Sequence, residues 1–182
     1  RLLAIQKKRK SACLFTNVQP ISVLGEHYEN PEFWWNLWHE KNRRFYFECG
    51  DIYRAFMKGN FMVTTSNIFM TTEAARKVGD FSPLRYLHDY DYIFRMMVAF
   101  PGGVHYIHDE KLLYYRLHGS NTISEAAIIG REQDKMVIRK YLLERIPAEL
   151  RGIVDSGIDR LIELEIELIE VKAQITNQKN SS

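Results

Sequence analysis

The chain has 182 residues, of which 46% are hydrophobic and 13% aromatic, enough apolar material for one sizeable core, which argues against a disordered or fibrous class. Its formal net charge is only +2, and acids and bases are interspersed except for "KKRK" at Lys7 to Lys10, so nothing calls for a nucleic-acid partner and that run reads as a solvated helix end. Two distant cysteines, Cys13 and Cys49, without CxxC or zinc-type spacing, read as reduced thiols of a cytoplasmic protein, and the apolar runs fall far short of the ~20 residues a membrane span needs.

The chain opens at Arg1, without Met, on "RLLAIQKKRK", which reads as the second half of an amphipathic helix and suggests a piece of something longer. "SACLFTNVQPIS" then reads as a strand with a turn at Gln19-Pro20, followed by a loop through "VLGEHYENP". Asn30 to Asn42 carries Pro in its first turn and Trp34, Trp35 and Trp38 near helical spacing, predicting a short helix with an aromatic face. "RRFYFECG" is expected to be extended, "DIYRAFMKG" to be a short helix ending at Gly59, and "FMVTTSNIFM" to be a buried strand.

In "TTEAARKVGDF", Thr71 or Thr72 can cap a helix that Gly79 ends. Another helix opens near Asp89 and closes before Pro101-Gly102-Gly103, and two short strands follow, "GVHYIH" and "KLLYYRLH". From Thr122 the strand signal vanishes. Thr122 and Glu125 have capping-box spacing for a helix from about Ile123 to Arg145 that breaks at Pro147. Beyond it Val154, Gly157, Leu161, Leu164, Leu168, Val171 and Ile175 follow a three-four spacing, so the last helix is a packing helix or a short coiled coil, compatible with a homodimer. The expected organisation is a mixed α/β body over 1–122 and a helical tail over 123–182.

The chain has neither GxGxxG, GxxxxGK[ST] nor GxSxG, so no phosphate loop or nucleophile elbow is present. What it does have is an ordered set: "TTSNIFMTTEAARKVGDF", then "HDYDYIFRM", then "YYRLHGSN". In this order and spacing the set resembles the C-terminal portion of the catalytic domain of family 2 glycosyltransferases, which have the GT-A fold. The resemblance covers Cys13 to Ser124 and implies an inverting enzyme that moves a sugar from a nucleotide-diphosphate donor to an acceptor hydroxyl. A sugar, a lipid-linked molecule or a protein could be that acceptor, as in polysaccharide or glycoconjugate synthesis, by a cytoplasmic enzyme free or peripheral at the membrane.

By the resemblance, Asp89 matches the family's general base, the carboxylate that takes the proton of the attacking hydroxyl. At a helix start the dipole would favour its ionised form, while the plain alternative is that Asp89 is an N-cap. The family usually has an acid before that aspartate, where this chain has His88. Asp91 precedes Arg95 by one helical turn, so an exposed or partly exposed ion pair is its expected duty.

On the loop after the last strand, His118 would meet a divalent metal, Mn or Mg, or the donor pyrophosphate, with Arg116 and Asn121 also on the phosphates. The bland reading of that loop is a polar turn into a capped helix. Ser66, Asn67 and Trp34 are candidate contacts for substrate; a satisfied strand bend for the first two and core packing for the Trp are the alternatives. "DYD" at Asp89 to Asp91 does not stand for the metal-binding DxD, which with the donor-binding strands is expected upstream of Arg1, leaving this piece inactive by itself. Two rivals remain: a non-catalytic α/β interaction module with a dimerising helix, and a hydrolase using Asp89 and His118.

Overall fold

A computed structural model describes residues 1–118 and 129–180; side chains are described through Val171, apart from those of 129–134, 162, 165, 169 and 170. The chain forms two compact units, Arg1–Val137 and Ile138–Ser182. In order come α1 (Leu2–Arg9), β1 (Cys13–Ile21), α2 (Trp34–Cys49), α3 (Ile52–Phe56), a 3₁₀ turn (Thr65–Asn67), β2 (Phe69–Met70), α4 (Thr72–Val78), α5 (His88–Ala99), β3 (Val104–Arg116), α6 (Ile129–Glu144) and α7 (Ala148–Asn180). The architecture is mixed α/β. Among the described residues no helix is long and apolar enough to cross a membrane.

The sheet has three strands in the order β2-β1-β3, with β1 antiparallel to β2 and parallel to β3. Every residue of β1 is buried. Phe15 stacks on Tyr106 of β3 at 4.8 Å between ring centroids and meets Phe56 and Phe61 edge-on or tilted at 5.5 Å each. Phe94 of α5 closes the cluster against Tyr53 and Phe56 of α3. Six aromatic rings from five segments thus share one core, the non-local burial that drives folding of a small domain.

Local signals placed α4 and α5 well. Thr71 caps α4, its hydroxyl accepting from the Ala74 N–H, and Gly79 ends it; α5 closes at Ala99 before Pro101. The "KKRK" run is the exposed end of α1, with Lys10 in the left-handed conformation. Both cysteines are free thiols, and burial pushes that of Cys13 up to about 12.

Four expectations need correction. Gln19 and Pro20 do not form a turn: both continue β1, with Pro20 opposite Tyr115. The Pro20 carbonyl accepts from the Tyr28 N–H on the side away from β3, so the N–H that proline lacks would also have pointed there, and no rung to β3 is lost. "RRFYFECG" is helical, extending α2 to Cys49. Trp35, His39, Asn42 and Tyr46 form one inward stripe of three-four spacing that runs straight through the supposed boundary, and Gly50 at φ 64° stops it.

"FMVTTSNIFM" is not a strand but a bent loop, a 3₁₀ turn and a two-residue strand. Its missing rung is supplied by a side chain. The register Cys13↔Met70 and Leu14↔Phe69 puts Thr16 opposite Asn67, whose amide oxygen accepts from the Thr16 N–H at 3.0 Å while its nitrogen donates to the Thr16 carbonyl at 2.8 Å. Finally, "GVHYIH" and "KLLYYRLH" are one strand, β3, whose register to β1 shifts twice: Thr16 faces Ile107, Asn17 faces Lys111 and Val18 faces Leu113, leaving His108, Asp109, Glu110 and Leu112 outside the register. The predicted start of a helix at Thr122 and Ile123 lies outside the described residues.

In the second unit Arg139 of α6 bonds Asp155 at 2.5 Å and Asp159 at 2.7 Å on α7, holding both helices together across the Pro147 break. Along α7 the stripe members Leu161, Leu164, Leu168 and Val171 are between 43% and 68% exposed.

Candidate functional site

The chemistry-bearing corner forms where α5 begins. Leu87, not Asp89, is the N-cap residue, and it makes no side-chain cap bond. Asp89 is therefore not the helix cap. Its carboxylate is 6% exposed, and Oδ1 accepts from the Tyr90 N–H at 2.8 Å and from Asn60 Nδ2 at 3.4 Å. Burial pushes its pKa up to about 6, opposed by the charge of His88, the N–H groups of Tyr90 and Asp89 itself, and the Asn60 amide. Burial outweighs the helix-end stabilisation expected from sequence, yet a group with this midpoint is still mostly ionised at neutral pH.

His88 stands beside it with both ring nitrogens engaged. Leu84 offers only a carbonyl, at 3.3 Å, so Nδ1 carries a proton there, and Nε2 pairs with the Thr65 hydroxyl at 3.0 Å. Asp91 has a different duty from Asp89. The predicted pair with Arg95 exists at 2.9 Å, but Asp91 is buried rather than exposed, because Ser82 also donates to it at 2.5 Å. Arg95 in turn donates to the carbonyls of Val78 and Asp80, so the pair ties the α4 exit to α5.

The loop from Gly59 to Asn67 carries Asn60 and Thr65 into this corner and is built under constraint. A Cβ on Gly59 would meet Asn42 Oδ1 at 2.7 Å, so a larger residue there would displace the Asn42 side chain. Val63 sits at φ 77°, a region a β-branched residue rarely enters. Asn67 spends its amide on Thr16 and on the Met62 carbonyl, at 3.0 Å. Ser66 is exposed on the same turn, one residue from Thr65.

The remaining predicted positions lie elsewhere. Trp34 begins α2, 57% exposed, with its ring 5.7 Å from that of Phe33. Arg116 closes β3 and its guanidinium donates to the carbonyls of Ser22 at 2.9 Å and Val23 at 2.7 Å. His118 is exposed two residues on, and Asn121 lies outside the described residues. Among the described residues no three His, Cys, Asp or Glu side chains come together as a metal site, so His118 has no assembled ligand set around it.

The structure thus gathers Asp89, His88, Asn60 and Thr65, of which sequence reading singled out only the first two. Asn60 and Thr65 had a signal: polar residues that break an apolar run just after a Gly turn. Compared with known proteins, the chain matches no family model, no curated protein and no solved structure.

Proposed function

We propose that this chain is the C-terminal part of a GT-A-type catalytic domain of an inverting glycosyltransferase, with Asp89 as its general base. The observation that carries the reading is the state of Asp89: a buried carboxylate, neither cap nor ion-pair partner, with a midpoint near 6 at a helix start. A base must be charged at working pH and still want a proton, and a midpoint near neutrality serves both needs. The ordered motifs that surround it, "TTSNIFMTTEAARKVGDF" and "YYRLHGSN", agree with the same family.

In the reaction, the bonds from Asn60 and the Tyr90 N–H fall on Oδ1 of Asp89, and Oδ2 takes the proton of the acceptor hydroxyl. The hydroxyl oxygen, as it loses that proton, attacks the anomeric carbon from the side opposite the nucleotide diphosphate. One carbon–oxygen bond forms as the bond to the phosphate breaks, which inverts the centre. Arg116, His118 and Asn121 belong to the donor side in this reading, and Ser66 and Trp34 to the substrate side. A divalent ion, Mn or Mg, is expected on the donor side of the full-length enzyme, where it would neutralise the charge of the departing diphosphate.

The test uses the full-length enzyme: Asp89→Asn should lower turnover by ~10²-fold or more while donor affinity by calorimetry stays near the parent's. Near-normal turnover in the purified variant would sink the reading. The alternative, an interaction module with a dimerising helix, draws on the exposed stripe of Leu161, Leu164, Leu168 and Val171, and it predicts an Asp89→Asn protein indistinguishable from the parent in every binding function.

A further inference from the structure

Two features of the Gly59–Asn67 loop are uphill, and neither is explained by holding the core together. Val63 occupies the left-handed region at φ 77° although it is β-branched. Three residues earlier, the Asn60 side-chain oxygen Oδ1 is buried with no hydrogen-bond partner among the described residues. Native proteins leave few buried polar atoms unmet, and backbone outliers of this kind persist only where the surroundings over-determine them, often beside functional groups.

Here the surroundings do over-determine the loop. Asn67 pins its far end to β1 and to the Met62 carbonyl. Its near end is fixed by the close approach of Gly59 to Asn42, whose amide is itself tied to the Trp38 carbonyl at 2.9 Å. Between the two anchors, the one hydrogen bond made by the Asn60 side chain goes from Nδ2 to Asp89 Oδ1. An amide placed for packing would bond through both of its ends or be replaced by an apolar side chain. This one gives up its oxygen and points its nitrogen at a carboxylate.

We infer that Asn60 is a positioning residue for Asp89, held by a strained loop so that its amide donates to Oδ1 and leaves Oδ2 turned toward the reacting hydroxyl. The inference rests on Asp89 being the base. Asn60 touches no reacting atom; it acts by fixing which carboxylate oxygen is free and by favouring the charged form alongside the Tyr90 N–H, with His88 the neighbouring titratable side chain on α5.

Asn60→Leu is the decisive variant, because it keeps the number and branching of the side-chain heavy atoms, removes the donor and also removes the unmet oxygen, with Asn60→Ala as the smaller companion should the methyl groups crowd the site. Following the Asp89 carboxyl carbon by NMR across pH, the variant should titrate higher than the parent by about half a pH or more. In the full-length enzyme, kcat near neutral pH should fall roughly tenfold with donor KM unchanged, and the acid limb of the rate profile should move up with the NMR midpoint. A midpoint that does not move overturns the positioning role, whatever the activity. Retained turnover in Asp89→Asn would overturn the base reading instead, by a separate measurement.

Discussion

Two corners of the first unit carry the residues that a transferase reading singles out, and they are built in opposite ways. Around Asp89, the α5 start and the Gly59–Asn67 loop are cross-tied and strained, and Asn60, Thr65 and Asn67 each bond a partner from another segment. Around Arg116 and His118 the side chains are exposed, and the guanidinium rests on two carbonyls of a nearby turn. The difference teaches which chemistry the chain itself sets. A buried group has its charge state and direction set by its neighbours, whereas an exposed one keeps water as a competitor and takes its geometry from whatever binds.

The largest effect expected from breaking the buried corner comes from Asn67→Ala. It removes the side chain that stands in for a rung of the β1–β2 ladder and leaves the Thr16 N–H, the Thr16 carbonyl and the Met62 carbonyl without their bonds. Each such buried group costs about 1–3 kcal/mol, so a loss of about 3–5 kcal/mol is expected. Thermal unfolding should show it as a drop of roughly 10 °C. A drop below about 3 °C would mean that water replaces the amide and that the corner is looser than its bonding suggests.

Next in size is a pair of opposing pH effects. Asp89 titrates near 6 in the folded chain against an ordinary value of 3.8. A carboxyl raised in this way favours folding below its unfolded value, and that contribution is lost as pH rises through 6. His39, whose Nε2–H donates to the Phe61 carbonyl at 3.0 Å, is lowered by burial to about 4 from an ordinary 6.5. Its contribution is present above 6.5 and is lost as pH falls through 4. Each gap corresponds to about 3 kcal/mol, so over pH 4 to 6.5 the two nearly cancel. Asp89→Asn should therefore be more stable than the parent at pH 8 by about 2–3 kcal/mol and equal to it near pH 4, while His39→Gln should lose its acid limb. Denaturant melts at pH 4, 6 and 8 decide it; parallel curves for all three proteins would mean that neither group is as buried as its surroundings indicate. A carboxylate that costs the fold stability at neutral pH is the pattern expected of a functional group rather than a structural one.

What the sequence allowed one to read follows the same division. α4 and α5 were legible because Thr71, Gly79 and Pro101 act within a few residues. The extent of α2 was legible in principle from the stripe of Trp35, His39, Asn42 and Tyr46, but the aromatic "RRFYFECG" imitates a strand. The loop from Gly59 to Met70 was not legible at all. Its backbone is set by Asn67 reaching across to Thr16, a contact between residues 51 positions apart that no local pattern encodes. Pro20 misled for a related reason, since a turn signal is overruled where the missing N–H faces away from the neighbouring strand. Asp91 was paired as expected, yet its burial depended on Ser82, which lies on a loop and not on the helix being read.

The smallest effect belongs to the exposed corner and sharpens the contrast. Arg116 donates to the Ser22 and Val23 carbonyls, and the turn it holds also depends on Ser22, whose hydroxyl accepts from the N–H groups of Leu24 and Glu26 and whose carbonyl accepts from Gly25. With so many local bonds left, Arg116→Ala should move the melting temperature by no more than about 2 °C. The change should instead be local: hydrogen exchange at Leu24 and Gly25 should quicken several-fold, while amides of β1 keep their rates. For the same guanidinium to meet a donor phosphate it must release one or both carbonyls, so a bound nucleotide diphosphate should reproduce in the parent part of the faster exchange that the alanine variant shows without it. If the donor instead slows exchange across the turn, Arg116 keeps its carbonyls and serves the turn rather than the phosphates.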